Sequence, residues 1–142
     1  MTLDELQELW RQDSYIDPDN LHEESLKISK LHSKYYEIYN NLKILRESTR
    51  AKYNIVKLDR YNYYTGKADP KVYVEYPFPY KLREKDAIQR YMDADENLTK
   101  MLTKLKYYDI MIEFVVDIIK ILSNRTYQIK NSIEFMRFTA GM

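Results

Sequence analysis

No cysteine occurs in the 142-residue chain. Disulfides, thiolate nucleophiles and cysteine-ligated zinc are therefore excluded, and a reducing compartment is compatible. Glycine is almost as scarce, with only Gly66 and Gly141 present. A P-loop or a dinucleotide fingerprint needs several glycines at fixed spacing, so neither is available. No apolar run reaches ~18 residues, so no membrane-spanning helix is predicted. The opening MTLDELQEL is acidic and lacks a signal peptide's basic start and apolar run. The expectation is a soluble, intracellular chain. Proline stands at Pro18 and in a cluster at Pro70, Pro77 and Pro79, so long stretches are free to be helix.

The apolar residues, 44% of the chain, suffice for a core. The net charge of +1 hides a segregation. Residues 1–26 hold eight acids and one base, residues 27–67 ten bases and three acids, and residues 68–142 twelve bases and eleven acids. Total charge points to no polyanionic partner, but local charge does, and local charge is what a nucleic acid meets.

Residues 2–12 predict a short first helix, with Thr2 and Glu5 forming a capping box and Leu3, Leu6, Leu9 and Trp10 on one face. Asp17 followed by Pro18 predicts the start of a long helix running to about Tyr64. Its apolar steps from Ile28 to Leu45 have heptad spacing, and Thr65–Gly66 suits its end. Residues 68–82 form a proline- and aromatic-rich connector, expected to be extended. A second long helix is predicted from Arg83 to Phe138, with an interruption allowed at Ser123–Asn124. Its seam includes Leu105, Tyr108, Ile112, Val115, Ile119, Leu122, Thr126, Ile129 and Ile133. A 47-residue helix would be ~70 Å long, against a radius of gyration of ~14–15 Å for a compact chain of this size. Either the helices break and fold back or several chains share one core, and the length of the heptad seam favours the second. The fold predicted is all-α: a short N-terminal helix and two long helical segments, assembled as a homo-oligomer. Within this single chain, residues 1–67 form the N-terminal part, 68–82 the connector and 83–142 the oligomerisation part.

Nothing in the inventory assembles a catalytic site. His22 and His32 are ten residues apart, not the i, i+4 of a helical metal pair, and are read as exposed. Asp109, Glu113 and Asp117 share a helix face, read as a polar stripe neutralised by Lys106, Lys120 or a partner chain. Asp93, Asp95 and Glu96 are read as a solvated face. No enzyme, metal or cofactor is expected.

The block 50–67 carries more. Arg50, Lys52, Lys57, Arg60 and Lys67 interleave with Tyr53, Tyr61, Tyr63 and Tyr64, and Asp59 is the one acid among them. Lysine and arginine neutralise phosphates, while tyrosine rings stack on unpaired bases. The connector adds Tyr73, Tyr76, Phe78, Tyr80, Lys81, Arg83 and Lys85, read equally as more of the same surface or as a proline-rich arm whose aromatics pack onto a neighbouring chain. The competing reading is a basic helix end whose tyrosines are core or capping residues.

The order of several short motifs resembles the UvsY family, the recombination mediators of T-even-type bacteriophages. They are Leu3-Asp4-Glu5-Leu6-Gln7-Glu8 with Asp13, Ile16-Asp17 and Leu21; Arg60 with Tyr63-Tyr64-Thr65-Gly66-Lys67; Asp93-Ala94-Asp95; Leu105, Tyr107-Tyr108 and Phe114; and Ile129-Lys130 through Met136-Arg137 to Ala140-Gly141. The resemblance implies single-stranded DNA binding in the cytoplasm of an infected bacterial host. It also implies contacts with a RecA-like recombinase and a single-stranded DNA-binding protein, the first being loaded where the second sat. It implies a homo-oligomer, a hexamer or heptamer, acting without nucleotide hydrolysis. Arg60 matches one of the family's DNA-binding basic residues; the other falls at Leu58, so its role would pass to Lys57. The DNA face expected is Lys52, Tyr53, Lys57, Arg60, Tyr63, Tyr64 and Lys67, and the assembly seam is Leu105, Tyr108, Ile112, Val115, Ile119, Leu122, Ile129 and Ile133. The heptads alone support a second reading equally well, a coiled-coil adaptor that binds no DNA.

Overall fold

The computed structural model describes residues 1–141, and they contain five helices: α1 (Leu3–Asp13), α2 (Leu21–Tyr64), α3 (Pro70–Glu75), α4 (Lys85–Asp93) and α5 (Glu96–Thr139). Among these residues there is no strand, and no helix is long and apolar enough to cross a membrane. The chain divides into two compact units. One comprises Met1–Lys43 with the chain from Ile110 onward; the other is Ile44–Asp109. Both α2 and α5 contribute to each.

The capping box at Thr2 and Glu5 forms as read: Thr2 Oγ1 accepts from the Glu5 N–H at 3.1 Å, and the Thr2 N–H donates to Glu5 Oε2 at 2.9 Å. The start of α2 differs. Asp17 accepts from the Asp19 N–H and the Asn20 side chain, making a turn of 17–20, and the Glu24 N–H donates to the Asn20 carbonyl. The local Asx-type bonds hold Pro18 in that turn instead of at the first helical position. At the far end of α2, Gly66 adopts φ +78°. The Lys67 N–H donates to the Asn62 carbonyl at 2.8 Å and the Gly66 N–H to that of Tyr63, a Schellman ending.

Two expectations for the second half need correction. The connector is helical at its start, because Asp69 caps the Lys71 N–H at 2.9 Å and Pro70 occupies the first turn of α3. Nor is one helix continuous from Arg83. It breaks at Ala94–Asp95, where the Ala94 N–H closes α4 on the Arg90 carbonyl and Asp95 opens α5. Ser123–Asn124 does not interrupt α5: the Ser123 hydroxyl turns back onto the Ile119 carbonyl and is satisfied within the helix.

In the first unit the core is Leu6, Tyr35, Leu42, Met111, Val115, Ile118, Leu122 and Ile129. From Met111 to Ile129 the buried positions of α5 step 4, 3, 4, 3, 4 and include Arg125. The predicted seam shares Val115, Leu122 and Ile129 but takes Ile112, Ile119 and Thr126 in place of Met111, Ile118 and Arg125. Each differs by one residue, or about 100° of helix rotation. Arg125, only 2% exposed, occupies a seam position because its Nη atoms donate to the Asp13 and Ser14 carbonyls at 3.3 and 3.1 Å. Those are the orphan carbonyls at the end of α1, where a cation is favoured. The guanidinium also lies 5.6 Å from the Trp10 ring, which meets Tyr35 edge-on, and the Tyr35 hydroxyl donates to Asp13 at 2.8 Å. Burial pushes the Tyr35 hydroxyl pKa up, helped by that bond, and pulls the Arg125 guanidinium down.

Four residues of the predicted assembly seam find their neighbours within the chain. Leu105, Val115, Leu122 and Ile129 are buried within the single chain, because the chain's own helices supply their neighbours. Tyr108, Ile112 and Ile119 are half-buried, and Ile133 is exposed.

Candidate nucleic-acid interface

The second unit is built around the end of α2. Tyr63, Tyr64, Met92 and Leu98 are its buried cluster, flanked by Tyr53, Val56, Val72, Tyr73, Phe78, Leu82 and Ile88. The Tyr63 ring stacks on Tyr73 at 5.5 Å and 11°, and its hydroxyl donates to the Tyr76 carbonyl at 3.0 Å. The Tyr73 hydroxyl returns to the Tyr63 carbonyl at 2.8 Å, satisfying one of α2's terminal acceptors. Tyr64 meets Phe78 and Tyr91, and its hydroxyl donates to Asp95 Oδ2 at 2.7 Å.

These contacts correct the reading of Tyr63 and Tyr64 as base-stacking residues. At 8% and 7% exposure their rings already have protein neighbours on their faces and edges, so no base reaches them. Arg60 is drawn into the same network. Its Nε donates to Asp95 Oδ2 at 2.6 Å and its Nη2 to the Tyr64 hydroxyl at 3.2 Å, with the guanidinium 4.4 Å from the Tyr63 ring. Burial works against the Arg60 charge, but the bonds to Tyr64 and Asp95 outweigh it and raise the pKa. Burial likewise opposes the Asp95 charge, yet the Tyr64 hydroxyl, the Leu98 N–H at 3.0 Å and Arg60 together hold its carboxyl below the usual value. Tyr64 is shifted upward by burial and by its bond to Asp95.

Asp95 is therefore the residue that sequence reasoning missed. Read as part of a solvated face, it is buried; it caps α5 and pairs with the end of α2. The signal was present. Asp95 is an N-cap residue type, followed three positions later by an apolar residue that starts a seam.

Lys52, Lys57 and Lys67 remain exposed, and Tyr53 is half-buried between Arg50 and Lys57, whose cationic groups lie 5.6 and 5.9 Å from its ring. Lys67 sits 5.7 Å from the Tyr61 ring. The fold adds the connector's cations. Lys57 and Tyr61 from α2 face Arg83, Lys85, Ile88 and Gln89 across a groove of about 370 Å³ floored by Met92. None of the ion pairs among the described residues involves Lys52, Lys57, Lys67, Lys81, Arg83 or Lys85. Asp109, from the acid stripe, does pair, but with Arg46 rather than the lysines named from sequence. His32 is half-buried and stacked on Tyr36 at 6.0 Å, whereas His22 is exposed as read.

Lysines and arginines without ion pairs around tyrosines, on a fold whose described residues contain helices and no strand, are features of proteins that bind single-stranded nucleic acid. A family profile described as "Recombination, repair and ssDNA binding protein UvsY" matches residues 9–142. The chain belongs to the UvsY family. It is 26% identical over 141 residues to the recombination protein uvsY of Enterobacteria phage T4, covering 99% of both chains. Crystal structures of the bacteriophage T4 recombination mediator protein UvsY have the same fold. One lattice type superposes with TM-score 0.86 at 26% identity, covering 99% of this chain and 98% of that one. Another gives 0.83 at 23% identity, covering 98% and 99%.

Proposed function

We propose that the chain is a recombination mediator that binds single-stranded DNA through the basic face of the Ile44–Asp109 unit. It promotes loading of a RecA-like recombinase onto strands covered by single-stranded DNA-binding protein, in the cytoplasm of an infected bacterial host. The observation that carries the reading is the set of cations without acidic partners, Lys52, Lys57, Lys67, Arg83 and Lys85, in a chain of this family. Each can release a counterion when it meets a phosphate, which favours binding without sequence preference. Tyr53 and Tyr61 stay at that face, while Arg60, Tyr63 and Tyr64 set its shape from within.

Assembly as a hexamer or heptamer would repeat the face, so that several weak sites hold one strand by avidity. Ile110 and Ile121, 51% and 46% exposed, lie eleven residues or about three turns apart on α5 and so share one face. These two are the apolar surface that further copies of the chain would cover.

Salt-titrated binding to single- and double-stranded oligonucleotides, with particle mass measured alongside, tests the reading. Lys57→Ala with Lys85→Ala should weaken single-strand binding at constant mass. Unchanged binding by a folded variant of unchanged mass would place the DNA face elsewhere, and no binding by the parent chain would leave the adaptor reading.

A further inference from the structure

The connector builds a second cleft on the same unit, about 650 Å³ in volume, which falls in the range of small-ligand sites. Its walls are Tyr73, Pro77, Phe78, Pro79 and Tyr80, and Gly66 and Lys81 line it as well. The walls are rigid for identifiable reasons. Two prolines fix their own backbone, and Tyr73 is stacked on Tyr63 and bonded to the last carbonyls of α2. Leu82 anchors the segment by donating its N–H to the Tyr64 carbonyl at 3.1 Å. The Lys81 stem lies on Gly66, where a Cβ would come within 2.9 Å of it. Tyr80 meets Phe78 edge-on at 5.7 Å and 78°, and the residue is 58% exposed. A ring held by its neighbour yet open to solvent is ready to stack on a flat partner at low entropic cost.

We infer that this cleft takes an unpaired base of the strand whose phosphates lie on the basic groove, with Tyr80 as the stacking ring. The inference rests on the reading of that groove as the DNA face. Two observations choose this occupant. The first is continuity: Lys81 in the cleft and Arg83 in the groove flank Leu82 on one segment, and Lys67, next to Gly66, lies over the groove's Tyr61. The second is chemistry. Aromatic and proline surfaces beside an exposed lysine match a base with its attached phosphate, and stacking on them tolerates any base. Tyr63 and Tyr64, which sequence alone offers for that role, are spent in the core.

The test uses the full chain with a short oligothymidylate and an abasic oligonucleotide of equal phosphate count, read by fluorescence anisotropy. Tyr80→Ala should lower affinity for the base-bearing strand by about ten-fold and leave the abasic strand unchanged. Tyr80→Trp should retain or raise affinity for the base-bearing strand. Equal loss on both strands, or no loss on either, overturns the inference. The Lys57→Ala, Lys85→Ala variant separates it from the reading beneath. If that variant weakens binding to both strands while Tyr80→Ala weakens neither, the cleft inference alone fails. If the lysine variant weakens neither, the DNA face is elsewhere and the cleft inference falls with it.

Discussion

Replacing Asp95 should loosen the second unit more than any exposed charge does, and two substitutions separate the causes. The carboxylate caps the Leu98 N–H, accepts from the Tyr64 hydroxyl and pairs with Arg60. Asp95→Ala removes all three. The lost cap costs ~1 kcal/mol. A buried tyrosine hydroxyl deprived of its acceptor costs ~1–3 kcal/mol. The Arg60 side chain, a quarter exposed, can turn toward water, so its lost pairing adds only ~1 kcal/mol. The total is about 3–5 kcal/mol. Asp95→Asn keeps the cap through its single carbonyl oxygen but turns an NH2 toward the Tyr64 hydroxyl and Arg60 Nε, so it should cost ~2–4 kcal/mol. The native pKa of Asp95 is lowered from 3.8, so its charge contributes stability above that value and loses it as pH falls through the folded pKa. The gap between parent and Asp95→Asn should thus stay constant near neutrality and close in acid. Urea unfolding by circular dichroism gives the size, and hydrogen exchange at the Leu98 amide localises it. Equal costs for Ala and Asn, with a gap that persists in acid, would refute the carboxylate's central role.

Three other perturbations test other joints. Arg125→Met should destabilise the first unit by ~2–4 kcal/mol, because two terminal carbonyls of α1 lose their donors; emission from Trp10, the single tryptophan, should shift red as α1 loosens. Gly66→Ala should cost ~1–2 kcal/mol by thermal melt, since φ is +78° and the new Cβ meets Lys81. Ile110→Asp with Ile121→Asp should reduce particle mass in ultracentrifugation while helicity persists, because both are already exposed in the single chain. Unchanged mass would put the assembly surface on another face.

The helical class was legible because helix breakers are few and capping residues stand where they act, as at Thr2 and Gly66. Burial was harder to read. The eye rejects Arg125 from a seam and takes Thr126, since nothing near it in sequence announces the Asp13 and Ser14 carbonyls more than a hundred residues away. Asp95 was misread for a related reason. A carboxylate among acids looks solvated until the fold brings Arg60 and Tyr64 to it across more than thirty residues. Lys52, Lys57 and Lys67 are exposed because a lysine's long hydrated chain rarely does otherwise.

That contrast decides which basic residues a strand can use. Arg60 lies one turn from Lys57, yet two of its guanidinium nitrogens bond inside the protein and Asp95 offsets its charge. Lys57 is exposed and has no acidic partner among the described residues. A phosphate meeting Lys57 displaces counterions; one approaching Arg60 meets a charge already compensated. Lys57→Ala should therefore lower the slope of log affinity against log salt by ~0.7, the value for one single-strand phosphate contact. Arg60→Ala should reduce affinity with a smaller change in slope, because it acts by relaxing the α2–α5 junction that positions the groove, and it should lower thermal stability where Lys57→Ala does not. Should Arg60→Ala lower the slope as far as Lys57→Ala at unchanged stability, its guanidinium contacts phosphate directly, and the ion pair with Asp95 opens when DNA binds.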